Sequence, residues 1–65
     1  MARIDVERLR RALDELPALE RRVYMMSGGE GLDHRVIAGM LGIGVADVEA
    51  ALASALVGLG RMLED

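Results

Sequence analysis

Sixty-five residues allow one domain, residues 1–65, and 52% apolar content with Tyr24 as the only aromatic means a core of Leu, Val, Ile, Met and Ala. Without cysteine there is neither a disulfide framework nor a thiolate metal site, and a net charge of −3 is a poor match to nucleic acid. No leader pattern is legible and the apolar run from Ala50 to Leu59 is too short for a bilayer, so the expectation is a cytoplasmic protein with no membrane partner.

Four helices are predicted in chain order. Ile4, Val6, Leu9, Leu13 and Leu16 recur at helical spacing, so a first helix runs from about Asp5 to Glu15 with Asp5 as its N-cap. Pro17 suits the first turn of a second helix, where its missing N–H is not needed. That helix presents Leu19, Val23, Tyr24 and Met26 and stops at Ser27-Gly28-Gly29. Asp33 caps a third helix reaching about Leu41, with Val36, Ile37, Met40 and Leu41 as its apolar positions.

Gly42 then suits the left-handed position that ends a helix, and Ile43 plugs the turn. Gly44 stands where serine would be the usual cap. A fourth helix runs from about Val45 to Leu63, interrupted in propensity by Gly58 and Gly60, which weaken it by up to ~1 kcal/mol each. Its core face is expected to be Val48, Leu52, Leu56 or Ala55, Leu59 and Leu63. A capped helix, a glycine turn and a second helix make a helix-turn-helix, and so an all-α fold.

Charge is divided unevenly. Up to Arg22, six arginines (Arg3, Arg8, Arg10, Arg11, Arg21, Arg22) face five acids. From Val23 onward Arg35 and Arg61 face Glu30, Asp33, Asp47, Glu49, Glu64 and Asp65. The half that holds the second helix of the motif is therefore the acidic half.

Leu16-Pro17, Arg21…Val23-Tyr24, Glu30-Gly31-Leu32, Ile37-Ala38, Leu41-Gly42-Ile43 and Val45…Val48 with Leu52 together resemble region 4 of bacterial sigma factors, particularly the extracytoplasmic-function group. The resemblance spans about Leu13 to Leu63. It implies a four-helix domain that contacts the promoter −35 element and the flap of the RNA polymerase β subunit. The departures fall on one face. Positions that are basic in the family are here Glu49, Ala51, Ser54, Leu56 and Gly58, and Asp47 replaces a usual threonine. The scaffold carries over; the basic side chains do not.

Two candidate surfaces follow. Ala46, Ala50, Ala53, Val57 and Gly60 form the outer face of the fourth helix, with Ala51, Ser54 and Gly58 beside it, and Ala50, Ala53, Val57 and Gly60 are the candidate protein-interface residues. The alternative is an exposed alanine-rich helix with no partner. Arg8, Arg10, Arg11, Arg21, Arg22 and Arg35 are candidate contacts to phosphate or to an acidic partner. Their alternative is a solvated face with Glu7–Arg11 and Arg10–Asp14 pairs, worth a few tenths of a kcal/mol.

Met25, Met26, Met40 and Met62 are read as core filler, with a docking surface as the alternative. His34 is a lone surface histidine with no second ligand nearby in sequence, and the serines lack a paired base, so neither a metal, a cofactor nor an enzyme is expected. The function expected is a transcription-regulatory module working mainly through protein contacts: RNA polymerase, another regulator or a second copy, with weak or indirect DNA binding. The rival readings are a promoter-binding domain using the displaced arginines and a purely structural dimerisation domain.

Overall fold

The computed structural model describes residues 5–64, so the Arg3 and Ile4 assignments lie outside the described residues. Asp5 opens α1 (Val6–Glu15) by accepting the Glu7 amide at 3.0 Å. The helix ends because Leu16 precedes Pro17, and the proline ring forces its predecessor into extended backbone; Leu16 sits at φ −70°, ψ 147°. Pro17 is the N-cap of α2 (Ala18–Tyr24), one position earlier than the first-turn placement expected from sequence.

The α-helical part stops at Tyr24, and a π turn over Met25–Gly29 carries the helical chain to its end at Ser27-Gly28-Gly29; in it the Glu30 amide reaches the Met25 carbonyl at 3.0 Å. The chain then turns away at Gly31, whose φ is 68°.

α3 (His34–Leu41) begins where Asp33 accepts the Arg35 amide at 2.8 Å. It ends at Gly42, φ 69°, where the amides of Gly42 and Ile43 both donate to the Ala38 carbonyl. A three-residue turn, Gly42-Ile43-Gly44, leads into α4 (Val45–Leu63). The two helices are bent by 105° at this turn, the geometry of a helix-turn-helix. Among the described residues no single helix is long and apolar enough to cross a membrane.

Hydrophobic packing forms two clusters joined along α4. Around the turn, Val23, Met26, Ile37, Ala38, Val48 and Ala51 are buried, flanked by Leu32, Leu41, Ile43 and Leu52. Farther along, Ala12, Leu16, Ala55 and Leu59 are buried, flanked by Leu9, Leu13, Tyr24, Met62 and Leu63. The first half of α4 thus serves the motif and its second half holds α1. Gly58 belongs to this packing: a Cβ there would lie 3.2 Å from Leu16 Cδ2, so its lost propensity coincides with a close approach.

Several packing expectations need correction. Ala55, at 0% exposure, is the α4 core residue, and Leu56 faces solvent at 54%. Positions Val48, Ala51, Leu52, Ala55 and Leu59 follow the i, i+3, i+4, i+7 rule, and Leu56 stands about 100° round the helix from Ala55. Ala51, expected beside the outer face, is buried instead. Val6, Leu19, Val36, Met25 and Met40 are exposed; of the four methionines read as filler, Met26 is buried and Met62 half-buried.

The two helical glycine contexts predict opposite outcomes. Gly42→Val places a β-branched residue at positive φ and should lower stability by more than about 1 kcal/mol. Gly39, inside α3 with open space where a Cβ would sit, should gain about 0.5–1 kcal/mol on replacement by alanine. Chemical denaturation midpoints of the two variants, moving in opposite directions, check the assignment of the turn.

Candidate functional site: the outer face of the last helix

A helix-turn-helix presents the first turns of its second helix outward. In this chain that surface is Ala46, Asp47, Glu49, Ala50, Ala53 and Ser54, all exposed. No cation stands on α4 before Arg61.

Both acids are engaged with their own fold. Asp47, the third residue of α4, accepts the Gly44 amide on Oδ2 at 3.1 Å. This is half of a capping box; Gly44 has no side chain to return the bond, and the Asp47 amide donates to the Gly44 carbonyl instead. Glu49 Oε2 lies 3.6 Å from His34 Nδ1, linking α4 to the first turn of α3. His34 is therefore a surface contact of the motif, and among the described residues no group of three or more His, Cys, Asp or Glu is placed to hold a metal.

Ala50, Ala53, Val57 and Gly60 lie on one exposed face together with Ala46, diametrically opposite buried Val48, Ala51, Ala55 and Leu59. Val57 is 58% exposed and Leu56 borders it. Two shallow clefts run along one side of this face. Pro17, Leu19 and Glu20 of the α1–α2 corner meet Asp47, Ala50 and Ser54 in one; Glu20 meets Ala53, Val57 and Arg61 in the other.

The candidate arginines are dispersed. Arg8 donates to the Leu63 carbonyl at 3.1 Å and so ties α1 to the C-terminal end of α4. Arg10 and Arg11 are exposed elsewhere on α1. Arg35 is exposed on α3 next to His34, and Glu49 and Leu63 are separated by about 21 Å at 1.5 Å per residue. Arg21 approaches Asp14 at 3.9 Å, a pairing that the sequence expectation of Arg10–Asp14 missed.

Arg21 and Arg22 edge an open cleft of about 390 Å³ lined by Met25, Met26, Met40 and Glu30. Sequence reasoning missed this cleft, although Met25 and Met26 are adjacent and side chains 100° apart on a helix do not both enter one core.

A family model described as "Sigma-70, region 4" matches residues 6–57. The chain belongs to the sigma-70 region 4 family. The match runs from the start of α1 into the third quarter of α4 and so covers α3, the turn and the first part of α4. No curated protein and no solved structure matches the chain. The protein is thus a transcription-regulatory helix-turn-helix module, of a kind that is non-enzymatic. Within it, Ala51 is a core residue, packed in the cluster around the turn.

The capping role of Asp47 is measurable. Asp47→Ala leaves the exposed Gly44 amide to water and removes an acid from the first turn, and should cost about 0.3–1 kcal/mol, with Asp47→Ser recovering part of the loss. Urea denaturation followed by far-ultraviolet circular dichroism checks it; no loss in the alanine variant would contradict the capping role.

Proposed function

We propose that this region 4 domain acts mainly through protein contacts, to RNA polymerase, to another regulator or to a second copy, and reads bases weakly or not at all. The observation that carries the proposal is the makeup of the exposed first turns of α4: alanine, serine and two acids. Each phosphate left without a cation takes about 0.9 from the slope of log affinity against log salt, and each absent bidentate bond to a base takes about 1–3 kcal/mol of discrimination. Several such absences together leave little of a reader's affinity.

The arginines favour the same reading, since Arg8 lies at the far end of α4 from the turn and the others are divided among α1, α2 and α3 rather than carried by α4. The methionine cleft and the α4 outer face supply exposed apolar surface of the kind that binds proteins. A module with these surfaces works where polymerase works, and the cytoplasm is the compartment proposed.

A salt titration with fluorescent promoter duplexes tests the proposal. The natural chain should bind weakly, without sequence preference and with a shallow salt slope. Glu49→Lys combined with Ala50→Arg and Ser54→Arg, all at exposed positions, should tighten binding and steepen the slope by about 0.9 for each phosphate newly neutralised. Tight, sequence-selective binding by the natural chain at physiological salt would overturn the proposal. So would failure to retain polymerase subunits or any second copy of the domain under conditions where DNA is bound.

A further inference from the structure

The outer face of α4 carries a pattern finer than general apolarity. Ala46, Ala50, Ala53, Val57 and Gly60 follow each other at steps of four, three, four and three residues. That is the a/d spacing of a coiled coil, on a helix whose opposite side is already occupied by the core. Such a seam alone would accept many partners. The charges at its border select one.

Arg61 and Asp47 lie on the same flank of the seam, at opposite ends of it. In a two-fold antiparallel pair of helices each flank meets the same flank of the other copy. The seam layers then fall as Ala53 on Ala53, Ala50 on Val57 and Ala46 on Gly60. In that register Arg61 comes within about one helical turn of Asp47 of the second copy, twice by symmetry. Arg61 makes no ion pair among the described residues, and Asp47 uses one carboxylate oxygen for its cap and has the other free. Small side chains permit close approach of the two helices, and antiparallel alignment opposes their dipoles favourably.

We propose that the domain self-associates through an antiparallel α4–α4 pairing centred on Ala53, with Arg61 of each copy against Asp47 of the other. The pairing covers the surface that a helix-turn-helix lays in the groove. Val57 in the seam and Leu56 at its margin, both more than half exposed in the single chain, supply the larger apolar area. The inference rests on reading this face as a protein-contact surface.

The chain has no cysteine, which makes cross-linking decisive. Ala53→Cys sits on the two-fold axis and should form an intermolecular disulfide rapidly under mild oxidation. Ala46→Cys should not, because the two copies of residue 46 are about 21 Å apart along the axis. Linking of both variants would mean a parallel pair and overturn the proposal, as would linking of neither while circular dichroism shows intact helix.

Sedimentation equilibrium gives a second readout. Arg61→Glu and Asp47→Lys should each weaken self-association roughly tenfold, and an equimolar mixture of the two should restore it, because both cross-pairs are then attractive. Equal association of the two variants and their mixture would overturn the pairing. A chain that stays monomeric at high concentration yet retains polymerase would overturn the dimer and leave the protein-contact reading standing.

Discussion

The structure depends on the burial of one stripe of α4. Val48 and Ala51 close the cluster around the helix-turn-helix, and Ala55 and Leu59 close the cluster that holds α1. Because α4 is shared by both clusters, neither half of the domain packs without it. With no phenylalanine or tryptophan to fill space, the core is closed in part by alanines, over which helix backbones can approach. Ala12, Ala38, Ala51 and Ala55 all occupy buried positions, and Gly58 admits Leu16 where a methyl group would crowd it. Such a core holds little apolar area, so stability is sensitive to each side chain in it; truncating Ile37 or Val23, both at 0% exposure, removes groups that nothing else replaces.

A second consequence concerns charge. A reading helix needs cations near its N-terminus, where the positive helix end and the groove phosphates meet. Here that end is closed by Asp47 and braced by Glu49 against His34. The acids that stabilise the helix start stand where phosphates would approach. Glycine at the N-cap makes the Asp47 bond more important, since the cap residue supplies no acceptor of its own. The acidic character of this helix end is therefore tied to how this particular turn is held together.

Local chemistry made much of this legible in advance. Asp5 and Asp33 announce helix starts because a short acceptor side chain satisfies free amides, and both make that bond. Gly42 announces the turn because its left-handed backbone excludes most other residues, and α4 begins and ends where the flanking residues suggest. The family, too, was readable from the spacing of Glu30-Gly31-Leu32 and Leu41-Gly42-Ile43. What failed depended on register and tertiary fit. Between Leu56 and Ala55 the sequence left the choice open, because Leu56 outranks Ala55 in hydrophobicity while the helix angle puts alanine inside. Ala51 is expected beside the outer face of the fourth helix, and only packing with Val23 and Ile37 reveals it as core. The π turn at Met25–Gly29 has no sequence signature comparable to a cap, and it is what carries Met25 outward to meet Met40 across a cleft.

The central claim is that the exposed side of α4 is a surface for protein and not for bases. Methyl resonances of Ala46, Ala50, Ala53 and Val57, recorded with a soluble paramagnetic probe, test it most directly. At low concentration all four should broaden, and promoter duplex at physiological salt should leave that broadening unchanged, whereas a bound protein partner or raised concentration should protect them together. Protection of Ala46 and Ala50 by duplex, with none by any protein, would contradict the account.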